Sequence, residues 1–288
     1  SVRLAESLGL PLVRVQHHLA HAVATATEHH LRGRHVAMVL DGHGHGADGG
    51  NWGGELLEIE VCRWRRAGHL SPLMLAGGDK AARTPWRMAV GALFAAGRGD
   101  LVGGLFPAMK DAQTLLAMLE GGMKVANTTS MGRLFDAAAA IAGTRMVQTF
   151  EGQAAMEFEA LAGETDALAG GWTLQDGVLD FMPLLVHLAE RRLKGADAAS
   201  LFHATLIDGL ALWAVAECRK LAISQIVLSG GCLQNRRLAT GLQAKLAEAG
   251  LNALLPQVLP ANDGGLSLGQ AAYARMIIEH DPSQIEEP

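Results

Sequence analysis

Two histidines, His17 and His21, stand four residues apart in the stretch 15–21, "VQHHLAH". On a helix that spacing puts both imidazoles on one face, where their nitrogens can share a metal ion. The same spacing suits a pair of satisfied or exposed histidines, so taken alone it leaves both readings open. A zinc protease would need a glutamate directly after the first histidine. His18 stands there instead, which argues against that reading. Imidazoles are dense here: eight of the twelve histidines lie between His17 and His45. A metal site needs further ligands from elsewhere in the fold. Asp41, at the end of an apolar run, and Asp263, in "NDGG", are carboxylates at backbone turns. Ordinary turn and N-cap roles account for such residues equally well. His43 and His45 are further candidates.

Glycine-rich turns come next. The stretch 44–49, "GHGADG", fits the G-x-G-x-x-G pattern. A dinucleotide fingerprint must open a helix, whereas "NWGGELLEIEV" follows here and reads as a strand. A strand, glycine loop and strand hairpin is the reading that survives. The stretch 228–235, "LSGGCLQN", reads as a strand, a tight turn and a helix start. Its Gly230 and Gly231 amides could hold a phosphate or ribose and Asn235 a sugar hydroxyl, or the turn is an ordinary one. Cys232 has only the helix start to lower its pKa, so it is not expected to be a nucleophile. In 77–87, "GGDKAARTPWR", Lys80, Arg83 and Arg87 gather around Asp79. They suit an acidic ligand through charge-assisted hydrogen bonds, or a solvated helix start. "SMGRLFD" and "FEGQAA" combine glycine with polar residues at helix starts and are weak signals alone.

The elements that would carry these residues read as mixed α/β. Helices are expected over 1–9, 20–31, 81–96, 133–142, 153–162, 184–194, 198–221, 234–249 and 266–278. Strands are expected over 11–16, 35–40, 55–61 and 226–228. Hydrophobic residues make up 49% and aromatics only 5%, with 35 glycines, so the core should be small, aliphatic and closely packed. Net charge is −5 and no cationic tract occurs, which argues against nucleic acid as a partner. Cys62, Cys218 and Cys232 form neither a disulfide framework nor a zinc knuckle and fit a reducing cytoplasm. No signal peptide and no apolar run of about 18 residues is evident, so no membrane span is expected.

Seven stretches occur in one order: "VQHHLAH", "DGHGHGADGGNWGGE", "GHLSPLMLAGGDKAARTPWRMA", "SMGRLFDAAAAIAG", "FEGQAAMEFE", "LSGGCLQN" and "NDGGLSLGQAA". Together they resemble the C-terminal, Kae1-like domain of the HypF-type hydrogenase maturation carbamoyltransferases, over about residues 12–274. The resemblance implies an actin/sugar-kinase/Hsp70-like (ASKHA) α/β fold, two RNase-H-like lobes with a nucleotide in the cleft. Residues 1–75 would form the first lobe, and 76–288 the second, with the last helix returning to the first. It implies transfer of a carbamoyl group from carbamoyl adenylate, made from ATP in a YrdC-like domain, to the C-terminal cysteine of HypE. That step leads to the cyanide ligand of [NiFe]-hydrogenase. It further implies a divalent metal, zinc or iron, held by His17, His21, Asp41 and Asp263. Gly42, Gly44, Gly132, Arg133, Asp136, Glu151, Gly230, Gly231, Asn235 and Gly264 would lie at the nucleotide (ATP, AMP or the adenylate). Lys80, Arg83 and Arg87 would neutralise charge during transfer.

The sequence departs from the family pattern in two ways. His43 and His45 replace the usual Thr and Tyr and are expected to be tolerated rather than to join the metal. The upstream acylphosphatase, zinc-finger-like and YrdC-like domains, and the first strands of the first lobe, are expected to be missing. Two other functions stay open: a carbamoyltransferase with another acceptor, such as an antibiotic hydroxyl or a tRNA, and a non-catalytic module that binds nucleotide and partner.

Overall fold

The computed structural model describes residues 6–286. The helix expected over 1–9 falls largely outside them. The strand expected over 11–16 does not form; Leu12 makes only an isolated antiparallel bridge to Glu286. Helix α1 (His17–Glu28) starts at Gln16, whose side chain caps it by accepting from the Leu19 amide at 2.8 Å. Strands β1 (His35–His45), β2 (Asn51–Glu60), β3 (Arg63–Leu70) and β4 (Leu73–Leu75) follow. β1 runs past its expected end at 40, through a bulge between Leu40 and Gly44, and pairs with β2 as the hairpin the glycine loop suggested.

The single helix expected over 81–96 is two, α2 (Asp79–Arg83) and α3 (Pro85–Ala95). Proline disfavours helical backbone in the residue before it, and Thr84 sits at φ −132°, ψ 79°. Pro85 itself fits a first helical turn. The chain continues through α4 (Val102–Leu105), α5 (Lys110–Glu120), β5 (Ala126–Thr128), α6 (Met131–Ile141) and α7 (Gln153–Leu161). A short hairpin of β6 (Thr173–Gln175) and β7 (Val178–Asp180) leads to α8 (Met182–Glu190) and α9 (Gly195–Lys220). The last elements are β8 (Gln225–Ser229), α10 (Arg236–Glu248), β9 (Asn252–Leu254) and α11 (Leu266–His280).

One mixed sheet holds the strands, in the order β6-β7-β3-β2-β1-β8-β9, with β4 and β5 beside β2. β3, β2 and β1 form an antiparallel meander, and β8 and β9 continue it in parallel. This is the RNase-H-like arrangement. Strand β8, from the expected second segment, pairs with β1 of the first.

β1 is buried on both faces, and its alternation sorts the core. Ala37 and Val39 face a cluster with Leu19, Val23 and Ile277 from α1 and α11. Val36, Met38 and Leu40 face the larger cluster, built from α3, α6, α9 and their neighbours. Helix α9 is long and apolar enough to cross a membrane by composition, but 78% of its most apolar window is buried inside this core. Helices α1 and α11 touch at backbone distance: a Cβ on Gly269 would lie 1.9 Å from the Ala20 carbonyl oxygen. That contact fixes the helix bearing His17 and His21 against the sheet.

Candidate metal and nucleotide site

The histidines of α1 meet the bulged end of β1. His17 Nε2 lies 3.0 Å from Asp41 Oδ2 and 3.6 Å from Asp263 Oδ1. His21 Nε2 lies 3.5 Å and 3.3 Å from the same two oxygens. One ligand atom from each of the four residues falls within 4.8 Å of the others. His21 is 1% exposed, and its Nε2 makes no hydrogen bond among the described residues. An unpaired buried nitrogen is costly. A cation at the centre of the four would satisfy it, so these residues fit a divalent metal. Two imidazoles with two carboxylates suit zinc or iron.

The surroundings hold this geometry from several sides. Gln16, besides capping α1, donates from Nε2 to the His45 carbonyl at 3.0 Å and so ties the helix start to the hairpin. Ser229, at the end of β8, donates to the His21 carbonyl at 3.0 Å and accepts from Thr25 at 3.0 Å. Asp41 Oδ1 accepts from the Gly231 amide at 3.1 Å. Burial alone would raise the Asp41 pKa, but the bond from His17 and the close approach of the His21 ring overcome it and hold the carboxylate far below its usual range. Burial works against a charged His17, yet the Asp41 hydrogen bond and the Asp41 and Asp263 charges raise its pKa. His18 faces Trp52 instead, with ring centroids 5.8 Å apart, and burial, then the neighbouring His17, lower its pKa to about 3.

Beside the cluster opens a cavity of about 930 Å3. Asp41, Gly42, Gly132, Arg133, Asp136, Glu151, Gly231, Asn235, Asp263 and Gly264 all line it. Sequence motifs up to 223 residues apart therefore converge on one space (Asp41 to Gly264, 264 − 41). Ser130 joins two of its walls: its hydroxyl accepts from the Arg133 amide at 3.1 Å, capping α6, and donates to the Gly42 carbonyl at 2.6 Å. Beneath it the buried Glu55 accepts from Arg66 at 2.6 Å and from the Gly53 and Gly54 amides, and binds the Thr129 hydroxyl. Arg133 Nη1 lies 3.0 Å from Asp136 Oδ2, yet Arg133 Nε and Nη1 and Asp136 Oδ2 make no hydrogen bond among the described residues. Burial raises the Asp136 pKa to about 7, against the lowering effect of Arg133 and of a 3.0 Å bond from Gln148.

Several expected roles shift. The Gly231 amide is taken by Asp41, and the Gly264 and Gly265 amides by the Asn262 side chain and carbonyl, so these three are not free for a phosphate. Asn235 reaches inward rather than to a sugar: its Oδ1 caps α10 at the Leu238 amide and its Nδ2 lies 3.0 Å from His203 Nε2. Gly44 and Gly230 do not line the cavity. A Cβ at Gly44 would strike the His17 and His18 rings, and one at Gly230 the Leu40 backbone. His43 lines the cavity but stands outside the four-residue metal group, as does His45. Cys232 also lines it, with burial pushing its thiol pKa well up. Lys80, Arg83 and Arg87 do not reach it and are not one cluster. Arg83 faces a neighbouring outer cavity, while Lys80 and Arg87 face a third one. Arg87 stacks over Trp86 at 4.6 Å.

Residues 37–270 match the family described as "Carbamoyltransferase, Kae1-like Domain, second subdomain". The chain belongs to the HypF carbamoyltransferase family. It is 55% identical over its whole length to "Carbamoyltransferase HypF" of Rhizobium leguminosarum bv. viciae, of which it spans 38%. A "Carbamoyltransferase HypF homolog" of Cupriavidus necator is 43% identical over 94% of this chain, and the chain covers 73% of that protein. Among solved structures, full-length HypF "in the phosphate- and nucleotide-bound form" superposes with a TM-score of 0.88 at 32% identity, covering 97% of this chain and 45% of that one. The mixed α/β sheet is thus that of a Kae1-like domain.

Proposed function

We propose that this chain transfers a carbamoyl group from carbamoyl adenylate to a thiol, the C-terminal cysteine of HypE, in the synthesis of the cyanide ligand of [NiFe]-hydrogenase. A YrdC-like domain would supply the adenylate. The observation that carries this reading is the union of a metal-competent cluster with a roomy cavity that holds charged side chains at the same hairpin. The HypF neighbour with phosphate and nucleotide bound supports it.

Carbamoyl adenylate is a mixed anhydride. The acceptor sulfur attacks the carbamoyl carbon, the bond from that carbon to the phosphate oxygen breaks, and AMP leaves with both electrons. Negative charge grows on the phosphate, so catalysis consists chiefly of placing positive groups beside it. A divalent ion held by His17, His21, Asp41 and Asp263 would supply such charge. Arg133 brings a guanidinium that pairs with Asp136 at 3.0 Å and whose Nε makes no hydrogen bond among the described residues, fixed on a helix capped by Ser130. Asp41 keeps His17 oriented, and Ser229 and Thr25 hold the backbone behind His21. Burial raises the Cys232 thiol pKa and makes it a poor relay, which favours a sulfur brought by a partner.

Single-turnover transfer tests this directly. Carbamoyl adenylate is supplied with this chain and HypE, and the mass of HypE is followed. A gain of one carbamoyl group at its terminal cysteine is expected. An unmodified HypE, with nucleotide bound to the chain, would leave a docking module as the function.

A further inference from the structure

A second cavity, of about 460 Å3, lies against the first on the hairpin side. The two share Gly42, His43, Arg133 and Glu151 and nothing else that lines them, so these residues stand at the boundary between them. Gly42 leaves room at that boundary: a Cβ there would sit 3.3 Å from Glu151 Oε1. The outer cavity carries Arg83, whose guanidinium has no partner among the described residues.

Arg83 is mounted rigidly although its side chain is exposed. Its carbonyl accepts from the Gln148 amide at 2.8 Å. The buried Gln148 side chain donates to the Ala82 carbonyl at 2.8 Å and to Asp136 at 3.0 Å, and accepts from the Ala154 amide at 2.9 Å. The backbone that bears Arg83 is thus pinned to the wall of the inner cavity. Such preorganisation reduces the ordering cost of binding.

We propose that the outer cavity receives the last residue of the acceptor chain, and that Arg83 holds its terminal α-carboxylate. This rests on the reading of a C-terminal cysteine as acceptor. In such a residue the thiol and the carboxylate hang from neighbouring carbons, so a sulfur reaching past Gly42 leaves its carboxylate in the outer cavity. A guanidinium binds a carboxylate through two parallel hydrogen bonds, which fixes orientation as well as position. Asp79 and Glu151 also line the outer cavity. That mixed lining suits a peptide end, which brings N–H donors together with its carboxylate, better than a bare anion. Arg83 is then a specificity residue for the acceptor rather than a stabiliser of the leaving phosphate.

The test uses this chain with short peptides ending in cysteine, as the free acid and as the carboxamide. Binding is read by fluorescence anisotropy, and transfer from carbamoyl adenylate is followed in the same samples. The free acid should bind about tenfold or more tightly than the amide. Arg83→Gln should bind both at the affinity of the amide, with an unchanged melting profile, and Arg83→Lys should restore part of the difference. Acid and amide binding alike to the wild type, neither binding at all, or Arg83→Gln keeping the preference, would overturn the proposal. Equal transfer to both peptides would overturn it too and leave the carbamoyltransferase reading standing. A retained acid preference without any transfer would support the carboxylate pocket and sink the transferase reading alone.

Discussion

Gly230→Ala tests how tightly the end of β8 is pressed onto β1. Gly230 has φ +100° and ψ 152°, a region open in practice only to glycine. Forcing alanine there costs about 1–3 kcal/mol. The added Cβ would also lie 2.3, 2.7 and 2.8 Å from the O, C and N atoms of Leu40. All three are backbone atoms of a buried central strand, so none can swing aside, and overpacking of this kind adds about 1–3 kcal/mol. The sum is about 2–6 kcal/mol, a large share of the roughly 5–15 kcal/mol that holds a domain together. Gly122 is the control. Its φ is +85°, but its Cβ would meet nothing within 4 Å, so alanine there costs only about 1–2 kcal/mol. Urea unfolding of both variants, followed by far-UV circular dichroism, should show Gly230→Ala as the costlier by about 2 kcal/mol. Because Gly231 donates to Asp41, metal affinity should fall in Gly230→Ala and stay put in Gly122→Ala. Equal costs for the two variants would refute the close approach of β8 to β1.

Asn235→Ala should lose roughly 2–4 kcal/mol in the same unfolding assay, since it removes an N-cap and leaves the buried His203 ring without its neighbour. Little loss of stability, coupled with lost nucleotide affinity, would restore the sugar-contact role. Asp136→Asn should change the pH dependence of stability. With a folded pKa of about 7 against about 3.9 unfolded, the native state binds the extra proton between those values, so wild-type stability falls as pH rises through that window. The asparagine variant lacks that slope, so its stability relative to wild type should grow between about pH 4 and 7 and be flat above. A constant difference across the window would contradict the raised pKa. Cys232→Ser should transfer carbamoyl groups within about threefold of the wild-type rate, measured by single turnover, because its thiol pKa is pushed up rather than down. A loss of a hundredfold or more would make that thiol a participant.

The helices were legible where hydrophobic periodicity was long. The helix expected over 198–221 matches α9 but for three residues at its start and one at its end, and 153–162 matches α7 to one residue. The convergence of His17, His21, Asp41 and Asp263 came from the family resemblance, because spacing alone shows only that two histidines share a helix face. Strand β3 was not legible: "RWRRAGHL" carries three arginines and lies partly exposed, so no apolar alternation marks it. The helix over 81–96 was drawn through Pro85 against the local rule for proline. The grouping of Lys80, Arg83 and Arg87 was not legible either, since Lys80 and Arg87 face one cavity and Arg83 another, a division that nearness in sequence does not show. Of the residues that hold the site from behind, Gln16, Ser130 and Ser229 lie in the quoted stretches without a role marked for them, and Thr25 and Gln148 lie in none. Their roles depend on partners far along the chain, as in the bond of Ser229 to the His21 carbonyl. The capping position of Ser130 before "MGRLFD" is the one such role a sequence pattern can suggest.

The central claim is a metal-bridged nucleotide site, and metal content measures it most directly. Elemental analysis of the wild type and of His17→Ala/His21→Ala should be run with ATP-binding calorimetry on the same samples. The account predicts about one zinc or iron per chain in the wild type, absent from the double variant together with tight nucleotide binding. A wild type that binds nucleotide tightly without metal, or a double variant that keeps its metal, would contradict it.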